Sequence, residues 1–394
     1  MVSPETRRKF ENLGVVLVPP GPGRRFFMDE IIRGPLSQVE VVAGDAPWES
    51  QEAEKGAFHT VAVQSSGEYA PAGAVYPLLA GCEQSAGPRG EIIFRRAVNP
   101  QHDRYLSQHL LDGTPVLPAA VALELMAEAA ASAWPDWVVN EISNLRVLNG
   151  IKFEKDTVEI EIVAMASSHG DASGFEATMM LRPPGEKSVP YYRATAHLGN
   201  EALEPEDYDS GLNPAPAPVD VELAYRKWLF HGPNFQTMTA FTGLDQSGAL
   251  VEIRPSVPGE WLPATGAGRQ WLFDPGVVDS GPQMALVWAQ VVRSASALPS
   301  RFGRVVRYGT EPLGICRMHF RLYPDQSENQ VKADVAFVDA NNRLRLFMEE
   351  MECTSSEALA RLGGGWKGEI CVGANILPLV SGGQRTQAVR KASD

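Results

Sequence analysis

Residues 118–134 read PAAVALELMAEAAASAW, and the fold follows from what this stretch demands of its neighbours. Alanine, leucine, methionine and glutamate are strong helix formers. Apolar positions run nearly all the way round, so this helix must be buried on most faces. Its surroundings supply strands to bury it. EIIFRRAV (91–98) precedes it. TVEIEIVAM (157–165) follows, alternating apolar and acidic residues with period two, as a strand with one face in a core does. GFEATMMLRP (174–183) and YYRATAHLG (191–199) come next.

The same order returns further along. ALVEIRP (249–255) reads as a strand, and DPGVVDSGPQMALVWAQVVR (274–293) enters an apolar helix from about Pro282. GRVVRYG (303–309), GICRMHFRLYP (314–324), VKADVAFVD (331–339) and RLRLFMEEMEC (343–353) read as consecutive strands. The repeat is one of architecture, not of sequence period. It predicts an α+β fold, a double hotdog: two antiparallel curved sheets, each wrapping one long apolar helix.

Breaks in composition set the expected boundaries. Residues 46–88, rich in Gly, Pro, Ser and Ala, read as a linker. GNEALEPEDYDSGLNPAPAP (199–218) suits an extended, solvated connection. The expected organisation is a separate segment over 1–45, a linker over 46–88, hotdog halves over 89–210 and 211–362, and a tail over 363–394.

The 394 residues carry 35 Lys plus Arg against 48 Asp plus Glu, a net charge of −13. That balance argues against nucleic acid or an anionic membrane as a partner. No run of 18 apolar residues suggests a membrane span. The N-terminus has no apolar stretch behind its basic residues, so it does not read as a secretory signal. Cys82, Cys316, Cys353 and Cys371 are far apart, with no CxxC spacing. A disulfide framework or zinc site is not expected, and a reducing cytoplasm fits.

Three motifs offer chemistry. His109-Leu-Leu-Asp-Gly113-Thr-Pro-Val-Leu-Pro118 leads into the first helix. Gly113 permits a tight turn or close backbone approach, and Pro118 suits a helix's first turn. The helix N-terminus behind them offers unpaired N–H groups that could polarise a thioester carbonyl. His109 can take a proton near neutral pH, or it can simply cap a turn. Asp274-Pro-Gly-Val-Val-Asp279-Ser-Gly-Pro-Gln283 leads into the second helix. Asp279 takes the place there that His109 takes in the first block, with Gln283 one turn on to hold its carboxyl. Beside apolar walls that carboxyl is expected to have a raised pKa and serve as an acid; alternatively it is an N-cap. Phe230-His231-Gly232-Pro233-Asn234-Phe235-Gln236 is a corner that could aim His231 at such a site.

Together the three are more specific than any alone. HLLDGTPVLP resembles the HxxxGxxxxP motif of polyketide synthase dehydratase domains, DSGPQ resembles their DxxxQ motif, and FHGPNFQ their YGPxFQ motif. Order and separations match over roughly residues 80–362. The resemblance implies removal of water from a 3-hydroxyacyl group held on the phosphopantetheine arm of an acyl carrier protein, giving a trans-2-enoyl thioester. By motif match His109 removes the α-proton, Asp279 protonates the departing β-hydroxyl and Gln283 orients Asp279. Gly113 offers its N–H to the thioester carbonyl. Pro118, His231, Gly232, Pro233, Phe235 and Gln236 support the site. The family also implies a homodimer, neighbouring synthase domains, and no metal or cofactor of its own.

Residues 14–45, beginning GVVLVPPGPG, resemble the end of a ketoreductase without its GxGxxG nucleotide loop. A ketoreductase end running into a dehydratase is the order of iterative enediyne-type and polyunsaturated-fatty-acid-type synthases, so the chain is expected to be a piece of one. It departs from the family at two positions: His231 stands where Tyr is usual, and Asp274 where His is usual. A charged His231 would lower the pKa of Asp279. Arg301, Arg304 and Arg307 form either a solvated face or a docking patch for an acidic carrier and its phosphate. The same fold also serves product-template-type cyclases, double-bond isomerases and silent structural domains. The motif pair is not the signature of a thioesterase hotdog.

Overall fold

A computed structural model of the chain describes residues 76–153, 157–171, 173–185, 188–325, 327–356 and 359, and two short strands at 369–372 and 375–378. The chain divides into units Met1–Gln64 and Ser65–Asp394, and the described residues belong to the second. The ketoreductase-like segment lies outside them, as does most of the tail.

The first half runs β1 (Glu83–Ala86), β2 (Ile92–Val98), a 3-10 turn (Arg104–Gln108), the two-residue strands β3 (Leu110–Leu111) and β4 (Thr114–Pro115), helix α1 (Ala119–Ala133), then β5 (Val138–Val147), β6 (Val158–Asp171), β7 (Gly174–Arg182) and β8 (Tyr192–Gly199). The second runs α2 (Val221–Lys227), a 3-10 turn (Pro233–Phe235), β9 (Met238–Asp245), β10 (Gly248–Ile253), α3 (Pro258–Trp261), α4 (Pro275–Arg293), then β11 (Ser296–Arg307), β12 (Cys316–Leu322), β13 (Gln330–Val338) and β14 (Leu344–Ser356). The strands β15 (Glu369–Val372) and β16 (Asn375–Pro378) pair with each other.

Twelve strands form one antiparallel sheet in the order β1-β2-β6-β7-β8-β5-β11-β14-β13-β12-β10-β9. Read outward from its centre, each half has the same topology, with β5 to β8 answering to β11 to β14. The halves meet where β5 pairs with β11, placing Phe302 opposite Leu145 and Val305 opposite Ile142 in the core. This is the double hotdog.

The sheet can curl around α1 because that helix has almost no polar face. All but one of its fifteen residues are buried. Pro118 is its N-cap, so the helix starts at Ala119, one residue after the expected start, and Pro135 behind Trp134 stops it. Helix α4 starts seven residues earlier than the sequence suggested. Pro275, not Pro282, takes the first position, and Asp274 caps it by accepting from the N–H groups of Gly276 and Val277. Pro282 lies inside the helix, where it has no N–H for the carbonyl four residues back. Gly281 lets α4 lie close on the sheet: a Cβ there would sit 3.2 Å from the Met351 sulfur.

The folded domain begins before residue 89, the expected start of the first half. Leu78 and Leu79 are fully buried in the core, and β1 is already the sheet edge. The boundary expected at 210/211 falls within the connection from β8 to α2. That connection is tied to the second half by bridges Leu203–Tyr308 and Asp207–Arg343. Among the described cysteines Cys82, Cys316 and Cys353 are free. No described helix is long and apolar enough to cross a membrane.

Candidate active site

The two histidine loops are stitched together by their backbones. His109 ends the first 3-10 turn and forms an antiparallel bridge with His231. Gly232 donates to the Gln108 carbonyl at 2.7 Å, and Asn234 donates to the Gln108 side chain at 2.7 Å. Pro233–Phe235 turns the corner, and Gln236 Nε2 donates back to the His231 carbonyl at 3.0 Å. Phe230 stacks on His231 with ring centroids 4.1 Å apart, and Phe235 lies 5.5 Å from His109. The FHGPNFQ corner thus fixes His231 beside His109, their rings 5.2 Å apart.

The tautomer of His109 follows from its partner. Its Nδ1 lies 3.0 Å from the Val116 carbonyl, which can only accept. In the neutral ring the proton therefore sits on Nδ1, leaving Nε2 as the basic nitrogen. Burial, and then the neighbouring His231, pull the His109 pKa down to about 4, with Asp279 opposing. The ring is therefore a free base at neutral pH.

Asp279 comes from the other half, on α4. Its Oδ2 lies 3.3 Å from His231 Nε2 and accepts from Gln283 Nε2 at 2.8 Å. Gln283 also donates to the Phe235 carbonyl at 3.0 Å, and its own oxygen accepts from Tyr225 OH at 3.0 Å. Burial pushes the Asp279 carboxyl up, but His231, His109 and Gln283 together outweigh it and leave the pKa below the usual value. This reverses the expected raised acid. The carboxyl faces charged and donor groups as well as apolar walls.

His109, His231, Asp279 and Gln283 line one cavity of about 160 Å³. Its remaining wall is mainly apolar, with Leu111, Val116, Leu117, Val147, Phe230, Leu286 and Leu298. Pro118 and Ala119 border it as well, so the free first-turn N–H groups of α1 lie at its edge. Gly113 does not line it. Asp112 and Gly113, both at positive φ, form the exposed tip of the β3–β4 hairpin, as a two-residue turn of this kind requires. Gly113, expected to meet a thioester, thus stands outside the lining of this cavity. Asp279 also does not mirror His109 structurally: His109 lies ten residues ahead of α1, whereas Asp279 is the fifth residue of α4.

His109, His231 and Asp279 have ligand atoms within 4.8 Å of one another, the one such group among the described residues. A tetrahedral ion would need all three about as close as the 3.3 Å pair, because its ligands lie at roughly 2.0–2.2 Å. The set would have to contract to hold one.

Several contributors carry no motif. Tyr225 orients Gln283 from α2 and accepts from Met238 N at 3.3 Å. Glu124 on α1 accepts from Leu272 and Phe273 N–H at 2.6 and 2.7 Å, pinning the chain just before the Asp274 cap. Its signal in the sequence is an acid in a helix otherwise apolar. Asp274 also accepts from Ser256 N at 2.8 Å, so at this position the chain holds a helix cap.

The three arginines do not form a common patch. Arg301 pairs with Glu350 and Glu352, and Arg304 with Glu141 and Glu349. Arg307 lines a separate cavity, with Arg269 and Arg345, at the start of α4. The expected docking patch is therefore largely neutralised within the chain.

Comparison with known proteins agrees with this architecture. The dehydratase domain from the CurF module of curacin polyketide synthase superposes with a TM-score of 0.57, at 16% identity, over 72% of this chain and 100% of that one. A trans-AT polyketide synthase dehydratase from Brevibacillus brevis gives 0.58 at 16% identity, over 70% and 97%. The dehydratase domain of PpsC from Mycobacterium tuberculosis gives 0.53 at 20%, over 72% and 100%. The fold is that of the double-hotdog dehydratases. The sequence matches the model "Polyketide synthase dehydratase domain" over residues 76–177 and "Polyketide synthase dehydratase N-terminal domain" over 204–363, and the chain belongs to the polyketide synthase dehydratase family. It is 26% identical over 318 residues to one of the subunits of a polyunsaturated fatty acid synthase from Thraustochytrium sp., covering 79% of this chain and 10% of that subunit's length.

Proposed function

We propose that the chain dehydrates a 3-hydroxyacyl thioester, carried by an acyl carrier protein of an iterative polyketide or polyunsaturated fatty acid synthase, to the trans-2-enoyl thioester. One observation carries the reading: a free-base histidine from one half, and from the other half an Asp on its helix paired with a His on its corner, converge in a single buried, mostly apolar cavity. The α-proton of a thioester is only weakly acidic, so carbonyl polarisation must accompany its removal. The first-turn N–H groups of α1 are the donors at hand. His109 Nε2 takes the proton. Hydroxide is a poor leaving group, so a proton must reach it, and the Asp279–His231 pair stands where it can be supplied. Two neighbours support parts of this reading: PpsC was solved with C12:1-CoA, in keeping with a thioester substrate, and a CurJ dehydratase was solved as an inactive His-to-Phe mutant, in keeping with a histidine that the reaction needs.

The test is a panel of 3-hydroxyacyl thioesters of increasing length and both configurations, read by mass. Dehydration removes water from the acyl group. An unchanged mass with a shifted double bond would instead identify an isomerase, and no change with any substrate a silent domain.

A further inference from the structure

Three titratable groups meet in the cavity wall: His109 from the first 3-10 turn, His231 from the corner, and Asp279 from α4. Tyr225 stands one step behind, through Gln283. Resting on the dehydration reading above, we propose that His231, and not Asp279, hands the proton to the departing β-hydroxyl, while the Asp279 carboxylate holds the imidazolium.

The hydrogen-bond chain dictates this direction. Met238 N–H donates to the Tyr225 oxygen, and Tyr225 O–H donates to Gln283 Oε1. The Gln283 amide is thereby oriented, and its Nε2 must point at acceptors. One is the Phe235 carbonyl; the other is Asp279 Oδ2. That oxygen takes the Gln283 hydrogen bond and faces His231 Nε2 as well, so two nitrogen donors converge on one carboxyl oxygen. Donors gathered on a carboxyl favour its anion. The nearest group able to carry a transferable proton is His231 Nε2, 3.3 Å from the same oxygen and in the same cavity wall. A buried imidazolium there has a carboxylate against it as counter-charge. The low pKa of Asp279 agrees with this arrangement.

The step balances. The Cα–H proton goes to His109 Nε2, and its electron pair forms the Cα–Cβ double bond. The Cβ–O bond breaks onto oxygen, which takes the His231 proton and leaves as water. His109 ends protonated and His231 neutral. One proton passed between the rings, 5.2 Å apart, directly or through a water, resets the site.

The experiment compares 3-hydroxyacyl with 3-chloroacyl thioesters, because chloride departs without a proton. In His231→Phe, elimination of hydroxyl should fall by roughly 10²–10⁴-fold, while elimination of chloride falls far less. The chloride-to-hydroxyl rate ratio should then rise by at least about 100-fold, and His231→Tyr, which keeps an O–H donor, should lower it again. A ratio within about threefold of wild type in His231→Phe overturns the proposal, whether both rates hold or both fall together. Wild-type chain that eliminates neither group overturns the dehydration reading itself.

Discussion

Helices α1 and α4 hold equivalent places in the two halves, and both carry fully buried carboxyl groups. Among the described residues, Glu124 and Glu128 on α1 hydrogen-bond to backbone N–H groups, of Leu272 and Phe273 and of Leu78 and Leu79. Burial dominates there, raising Glu124 to about 7 and Glu128 well above its usual value. Asp279 on α4 is equally buried, yet its pKa falls, because it faces His231, His109 and Gln283. Burial alone does not define a catalytic acid; the partners do. Helix α1 uses its acids to fasten chain segments, while the cavity histidine of its half, His109, comes from a loop. Helix α4 carries its cavity carboxyl, Asp279, on its own second turn.

The largest break in this comparison should come from the loop. His109→Ala should lower kcat/KM by about 10³–10⁴-fold, the size of a lost general base, with circular dichroism unchanged. A free base with a pKa of about 4 also predicts the sign of the acid limb. kcat/KM should persist as pH falls through 6.5 and decline only toward about 4. A decline centred near 6.5 would show that burial does not hold the ring neutral.

On α1 the effect should fall on stability. Glu124→Leu removes the acceptor of two buried N–H groups, which should cost about 2–5 kcal/mol in urea unfolding. The two acids should also shape pH dependence with opposite signs. Glu124 binds its proton more tightly folded than unfolded, so its contribution to stability falls as pH rises from about 4.5 to about 7. Asp279 binds its proton less tightly when folded, so its contribution is present above about 4 and is lost below that. Glu124→Gln should flatten the first slope, at most roughly 1.4 kcal/mol per pH unit, and Asp279→Asn the second. A common sign for both would erase the distinction drawn between the helices.

Much of this is legible in sequence because each motif pairs a reactive residue with its own turn chemistry. HLLDGTPVLP and FHGPNFQ announce loops, and an alanine-rich run announces a buried helix. What stays hidden depends on partners across the chain. Strand β5, the seam of the sheet, gives no clear signal: Asn140, Glu141, Ser143 and Asn144 break its alternation, and Asn144 sits at positive φ beside a register shift. Strand β9 gives none either. Pro282 looks like a helix start because proline usually is one, while Asp274 and Pro275 already make a better one. Spacing does not tell whether Gly113 faces a cavity or the tip of a hairpin.

Gln283 tests the α4 side at intermediate size. Gln283→Ala frees Asp279 from its 2.8 Å donor and unties Tyr225. A loss near tenfold in kcat, about 1.4 kcal/mol, with little change in KM, is expected of a group that positions another. A change in KM alone would move it to substrate binding.

The smallest effects should come from the seam's outer face, where the two halves do touch through charge. Glu176, His197, Glu141, Arg304 and Glu349 run across adjacent strands β7, β8, β5, β11 and β14 as alternating partners. Half of the Arg304 side chain is exposed, so solvent screens its pairs, and Arg304→Ala should cost no more than about 1 kcal/mol. The informative comparison is kinetic. Arg301 and Arg304 already have two carboxylates each, so Arg301→Ala and Arg304→Ala should change KM equally for carrier-bound and for small free thioesters. A rise in KM for carrier-bound substrate alone would show that these arginines exchange their internal partners for an acidic carrier. The seam between the halves would then also be the surface at which the substrate arrives.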